Sequence, residues 1–395
     1  MSDSARRTSR RAFLQGTAAG VLSAALPRPG FAADPVRVGL VLPLSGPFAS
    51  TGRQVEAAVR LYMQRNGDTV AGRKIELIVR DDTGLAPDVT KRLSQELVAR
   101  EGVTVLAGFG LTPLALATAP VATEAKVPMV VMCAATSIIP QRSPYIVRSG
   151  FTVPQITAPI AQWGTKNGIK RVISMVTDYA PGLECEKTFI RHFTEGGGTM
   201  MDTLRTPLAN PDYAPFLQRV KDAKPEALFL FVPSGQGAAV MKQFLDRGLK
   251  EAGIKLICTG DVLDDDLLEA IGPSALGVVS SHHYSAAHDS PENRSYVDDF
   301  MKANGGKRPN FMSVGGYDGM HLIYEALAKT GGNGKGAQLV DAMKGMAWTS
   351  PRGPMSIDPA TRDVVQTIYI RRCEEKDGKL WNVEFDRIEN VKDPG

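Results

Sequence analysis

The 395-residue sequence predicts an α/β protein built from two doubly wound parallel-sheet lobes, on three observations. Short, continuous apolar runs, fit for strands buried on both faces, alternate with helical stretches. The alternation runs through one series of units and then begins again, as two sheets of similar plan require. Composition is that of an ordinary globular chain, 43% hydrophobic and 22% charged, long enough to fill two cores.

The first 32 residues stand apart from this rhythm. Ser9-Arg10-Arg11-Ala12-Phe13-Leu14-Gln15 follows a basic start and precedes a short apolar stretch rich in Gly and Ala over 16–26, the pattern of a twin-arginine export signal. Small residues at Gly30 and Ala32 place cleavage after Ala32, with Ala33 as the rival position. The signal holds five of the 46 basic residues and one of the 42 acidic ones, so the remainder is balanced at 41 of each and the formal charge of +4 falls to zero. A neutral exported chain gives no reason to expect nucleic acid as a partner. No later stretch reaches the ~18 apolar residues of a membrane span, so direct insertion is not expected.

After the signal, an apolar run over 36–44 precedes a helix over 55–66, one over 74–81 precedes a helix over 87–101, and one over 103–108 precedes a helix over 113–124; a run over 128–132 closes the series. The second series pairs 171–176 with a helix over 182–195, 227–232 with 237–249, and 256–259 with 264–271. In such sheets ligands bind beyond the carboxyl ends of the strands, where helix N-termini present unpaired N–H groups. The loop after the first strand occupies that place: Ser45, Gly46 and Pro47 allow a tight turn, and Ser50, Thr51 and Gly52 can cap the next helix and face a cleft. Two further strand ends, Gly108-Phe-Gly-Leu-Thr112-Pro113 and Met132-Cys-Ala-Ala-Thr136-Ser137, are alike in kind. Together their hydroxyls and N–H groups suit a carboxylate. Asp261, after the run 256–259, faces the same cleft, where it can pair with an ammonium group or serve as a solvated helix cap.

Other chemistries find no constellation. Cys133, Cys185, Cys258 and Cys373 have no ligand spacing and read as free, inert thiols. His282, His283, His288 and Asp289 fit no metal motif and read as a partly solvated segment, while Asp264-Asp-Asp266 opens a helix. Without a nucleophile elbow, a Walker loop or a dinucleotide fingerprint, the expectation is no enzyme, no cofactor and no metal.

Val41-Leu-Pro-Leu-Ser-Gly-Pro, Arg80-Asp-Asp82, Pro128-Met-Val-Val-Met-Cys-Ala-Ala-Thr136, Asp178-Tyr-Ala-Pro-Gly182 and Gly315-Gly-Tyr317-Asp-Gly, in that order, resemble the periplasmic binding proteins of the leucine/isoleucine/valine type, which serve ABC importers. The resemblance covers residues 35–386. It implies a type I fold with a three-strand hinge: lobe one over 34–150 and 284–350, lobe two over 151–283 and 351–386, a tail over 387–395, and crossings near 148–151, 282–285 and 351–354. It implies a monomer that closes over a small solute and presents it to an inner-membrane permease. Site roles carry over to Thr112 or Pro113 and the loop N–H groups for a carboxylate, and to Ala134, Ala135, Thr136 and Asp261 for an ammonium. Phe48 and Thr51 shape the far end, and Tyr179 arrives from lobe two. Four departures stand out: Asp261 replaces the family's Glu, Pro181 replaces its tyrosine, and the tyrosine near Ser234 and the first-lobe disulfide are missing. The ligand readings are therefore a branched-chain or other hydrophobic amino acid, or an aromatic carboxylate or small amide. A ligand-binding sensor of the same fold is the alternative class.

Overall fold

The computed structural model describes residues 34–395; the export-signal reading falls outside these residues. The first sheet contains Val36–Leu42 (β1), Thr69–Val70 (β2), Arg73–Asp81 (β3), Val105–Gly108 (β4), Met129–Val131 (β5) and Ile146–Arg148 (β6), in the order β2-β3-β1-β4-β5-β6. All pairings are parallel except that of β2 with β3. Helices Ala49–Asn66 (α1), Pro87–Ala99 (α2) and Thr112–Ala125 (α3) make the crossovers. α1 begins six residues before the start expected from sequence, so Ser50, Thr51 and Gly52 lie inside its first turn and cap nothing. Gly52 is required there, because a Cβ would meet the Pro43 carbonyl oxygen at 2.1 Å.

From β6 the chain crosses into the second sheet through Val153–Lys166 (α4), whose start is fixed by a capping box between Thr152 and Gln155. Arg171–Thr177 (β7), Ala180–Glu195 (α5), Thr199–Thr206 (β8), Ala214–Ala223 (α6), Ala227–Phe231 (β9), Gly237–Asp246 (α7), Lys255–Thr259 (β10), Leu268–Ile271 (α8) and Val279–His282 (β11) follow. The strands form a parallel array in the order β8-β7-β9-β10-β11. The order of each sheet reverses about its first strand, at β1/β4 in one and β7/β9 in the other, and such switch points open crevices at the carboxyl edge.

The chain then returns to the first lobe as Pro291–Ala303 (α9), Phe311–Lys329 (α10) and Ala337–Met343 (α11), with α9 and α10 packed on α1 and with Asn310 capping α10 through the N–H groups of Met312 and Ser313. Four antiparallel strands, Ala347–Ser350 (β12), Gly353–Ile357 (β13), Val364–Lys376 (β14) and Lys379–Val391 (β15), complete the second sheet. Residues 347–350, read above with lobe one, thus pair in the second sheet, and β15 continues through 387–391, read above as tail. Asp264-Asp-Asp266 does not open a helix, since α8 starts only at Leu268. Among the described residues no helix is long and apolar enough to cross a membrane.

Buried polar groups tie the crossings together. The Arg352 guanidinium, 1% exposed, lies 2.9 Å from Asp318 and donates to the Gly150 carbonyl at 2.8 Å and to Gln366 Oε1 at 2.9 Å. Arg148 lies 2.8 Å from Asp363. His282 and His283 are fully buried, not partly solvated, because Phe151 and Phe311 pack against their rings.

Candidate functional site

The facing carboxyl edges of the two sheets line a narrow cleft. The first lobe lines it with Phe48 and Thr51 from the β1–α1 loop and first turn, with Gly110, Leu111 and Thr112 after β4, and with Cys133, Ala134 and Ala135 after β5. The second lobe contributes Tyr179 and Pro181 after β7, Phe231, Pro233 and Ser234 at and after β9, and Asp261 after β10. Phe151 and Val153 from the first crossing and Met312 from the start of α10 fill the remaining wall.

One corner is a donor set. Thr112 Oγ1 lies 2.6 Å from Thr136 Oγ1, and Thr136 itself stands behind the wall. Of the lining residues Gly110, Leu111 and Ala135, the backbone N–H groups have no acceptor among the described residues. The α3 N-terminus, where Thr112 is the first residue, adds its partial positive charge. Such a corner can take a carboxylate without a side-chain cation. Pro113 is one position further into α3 and does not reach the cavity.

Between the ends the wall is apolar and aromatic. Tyr179 and Phe231 stack at 6.3 Å and 21°, and Phe48 and Phe151 also line the cavity. At the second-lobe end Asp261 is 4% exposed, and its Oδ2 has no hydrogen-bond partner among the described residues. Burial pushes its carboxyl up to about 7, against the opposing hydrogen bond to Thr259 and the charge of Arg371. His282 Nε2 lies 3.5 Å from its Oδ2. That contact is not an ion pair: burial, then the Arg371 and Arg352 guanidiniums, hold His282 well below its ordinary range, so it stays neutral. Ser234 donates to Asp264 at 2.6 Å, and burial followed by repulsion from Asp266 raises the Asp264 carboxyl. Burial, then Asp261, raises the Tyr179 phenol, which remains an O–H donor.

The cavity can bind a small solute and positions no nucleophile beside a base. Comparison with known proteins agrees with this reading. The profile of a family described as periplasmic binding protein matches residues 35–379. The chain belongs to the periplasmic binding protein family. This periplasmic binding protein is 45% identical over 366 residues to a Leu/Ile/Val-binding protein homolog 6 of Brucella abortus (strain 2308), covering 92% of this chain and 94% of that protein. It superposes with a TM-score of 0.89, at 57% identity, on an ABC transporter solute-binding protein of Rhodopseudomonas palustris BisB5 in complex with 3,4-dihydroxybenzoic acid, covering 91% and 98% of the two chains. A second such protein, from Rhodopseudomonas palustris HaA2 in complex with p-hydroxybenzoic acid, gives 0.88 at 40% identity, covering 91% and 99%. This is a family of binding proteins, so the chain is a solute-binding protein and not an enzyme.

Of the nine site residues expected from sequence, the periplasmic binding protein brings Phe48, Thr51, Thr112, Ala134, Ala135, Tyr179 and Asp261 to the cavity wall, and leaves Thr136 and Pro113 behind it. Sequence reasoning missed Phe151, Val153, Phe231 and Met312. Phe231 was legible in principle, since it ends a strand whose carboxyl edge was already assigned to the cleft. Phe151 and Met312 enter from a crossing and a helix start that no motif marks. Among the described residues no cluster of three or more metal-ligand side chains occurs, and His288 sits apart from the other histidines, 2.8 Å from Glu384.

Proposed function

We propose that this solute-binding protein captures a hydroxylated benzoate and delivers it to an inner-membrane ABC permease. The observation that carries the reading is the order of chemistry along the cavity: a cation-free donor corner at Thr112 and Ala135, a slot between Phe48, Phe151, Tyr179 and Phe231, and the Asp261 carboxyl at the far end. A benzoate carboxylate suits the corner, its ring suits the slot, and a ring hydroxyl suits Asp261, which in its protonated or ionised form can donate to or accept from a phenol. Two relatives that bind hydroxybenzoates, at 57% and 40% identity, support the same class. A second reading, a hydrophobic amino acid, draws on the Brucella relatives' names and on Asp261 as an ammonium partner. It is the weaker one, because no second acid lines the cavity and the relatives at 57% and 40% identity are in complex with aromatic acids.

The solute enters when the lobes over 34–150 with 284–350 and over 151–283 with 351–386 rotate apart about their three crossings. Residues 1–32 act as a twin-arginine signal that sends a monomer to the periplasm. Titration calorimetry with 4-hydroxybenzoate, 3,4-dihydroxybenzoate, benzoate and leucine tests the ligand. The hydroxybenzoates are expected to bind tightest, and benzoate more weakly by the lost phenol contact, about 2- to 13-fold. Tight binding of leucine with none of the aromatic acids refutes the assignment. Fusion of residues 1–33 to a fluorescent protein, in cells with and without the twin-arginine translocase, tests the export route.

A further inference from the structure

Across the cleft from the cavity corner, an acid outside the cavity wall reaches from one lobe to the other. Glu184 lies in the second turn of α5, and its Oε1 and Oε2 accept from the Ser137 N–H at 3.1 and 3.3 Å. Ser137 follows the lining loop Ala134–Thr136, so this N–H belongs to the peptide unit whose carbonyl is that of Thr136. The same carbonyl accepts from Arg148 Nη2 at 2.7 Å. One peptide unit is therefore held by its carbonyl from lobe one and by its N–H from lobe two. Its orientation fixes the Thr136 side chain, whose hydroxyl meets Thr112 at 2.6 Å. Among the described residues Glu184 has no ion-pair partner: Arg148 is committed to Asp363, and on α5 Glu186 is committed to Arg205.

We propose that Glu184 is the positioning residue of the closed site: closure of lobe two sets its carboxylate on the Thr136–Ser137 peptide and so locks the donor corner around the bound solute. The proposal rests on the reading that the solute occupies the cavity, but not on which solute it is. When the lobes part, water replaces Ser137 as the partner of Glu184. Closing strips that water, and burial, aided by the charge of Asp393, raises the carboxyl to about 7 against the hydrogen bonds from Ser137 and the charge of Arg148. The neighbouring Cys185 thiol is held well above its ordinary range by burial and carries no charge. The sign follows: closure takes up a proton at Glu184 below about pH 7, so affinity rises as pH falls, by up to about tenfold from pH 8 to pH 6.

The test compares wild type, E184Q and E184A with 3,4-dihydroxybenzoate as the probe, by calorimetry at pH 6 and pH 8, alongside amide hydrogen exchange at Ser137 in the probe-free and probe-saturated protein. E184A is expected to bind about tenfold more weakly at pH 8 and to lose Ser137 protection in the saturated state. E184Q keeps an acceptor for Ser137 without burying a charge, so it should bind at least as tightly as wild type at pH 8 and show a smaller rise in affinity toward pH 6 than wild type does. Residues that act only on folding would not separate the two variants in this way. Affinities within twofold of wild type for both variants at pH 8, with Ser137 exchange unchanged, overturn the proposal. If wild type does not bind the probe, the solute assignment has failed, and the latch is judged with whichever of 4-hydroxybenzoate, benzoate and leucine does bind: loss of Ser137 protection in saturated E184A but not in saturated E184Q upholds it, and equal protection overturns it.

Discussion

Removing the Thr112 hydroxyl, as Thr112→Val, tests the donor corner most directly. Thr112 lines the cavity and Thr136 stands behind it, and the two hydroxyls are 2.6 Å apart. If Thr136 donates to Thr112, the Thr112 proton is free for a solute carboxylate. A hydrogen bond to a charged group is worth ~1.5–3 kcal/mol, which at about 1.4 kcal/mol per decade is a loss of roughly 10- to 150-fold in affinity. Thr136→Val removes only the neutral bond behind it, worth ~0.5–1.5 kcal/mol, or roughly 2- to 13-fold. Because the second hydroxyl acts through the first, the double variant should bind about as Thr112→Val does, leaving a coupling of ~0.5–1.5 kcal/mol in a double-mutant cycle. Calorimetry with the tightest-binding aromatic acid reads all four corners of the cycle. A Thr136→Val loss larger than that of Thr112→Val, or purely additive losses, refutes this order of contacts.

Arg352→Met breaks the buried contact with Asp318 and leaves Gln366 Oε1 unpaired, so unfolding in urea should show a loss of ~3–5 kcal/mol; a loss below about 1 kcal/mol would mean that the crossings are held by packing alone. Cys185, Cys258 and Cys373 are buried, free and off the cavity wall, so a thiol reagent should label none of the three in the native protein and all of them in urea; native labelling of any of the three contradicts that burial. Burial raises the Asp261 carboxyl to about 7 in the folded chain, whereas an unfolded Asp titrates near ~3.9, so its contribution to stability is complete below about pH 4 and is lost as pH rises through about 7. Melting temperatures of Asp261→Asn across that range should therefore decline less than those of wild type, and parallel curves would contradict the shift.

Strands β1, β4, β5, β7, β9 and β10 were legible because each is buried along most of its length and reads as an apolar run, as in Leu228-Phe-Leu-Phe231; β6 and β11, equally buried, were missed because three or four residues with Arg148 or His282 at the end give too short a signal. Where one face meets water the signal weakened. β8 alternates exposed and partly buried residues, and the β14–β15 hairpin carries charges along its outer half, so neither was anticipated. α4 was missed because Pro154 and Pro159 are usually read as breakers. Pro154 instead occupies the first turn, where its missing N–H costs nothing. The early start of α1 was hidden by Ala49-Ser-Thr-Gly52, four small or polar residues that look like loop and are helical only because Gly52 lets the turn press on the Pro43 carbonyl.

For the site, the rule that ligands lie beyond strand carboxyl ends named loops that line the cavity but could not order the residues within them. Thr112 and Thr136 look equivalent in sequence, and only their packing puts one before the other. Asp261 likewise looked like a counter-ion, because its neutral neighbour His282 and its burial arise from strands 21 residues apart that meet in the folded sheet. α5 shows what such ordering achieves. Gly182 presses its first turn on the Thr177 carbonyl, where a Cβ would sit 1.8 Å from the oxygen, and so fixes the helix rigidly on β7. Tyr179 at its cap and Pro181 in its first turn then face the cavity, and Glu184, one turn after Pro181, faces the Ser137 N–H. Because one rigid helix start carries all three, lobe two cannot bring its aromatic wall to the solute without also bringing its carboxylate to the loop that holds the solute's other end.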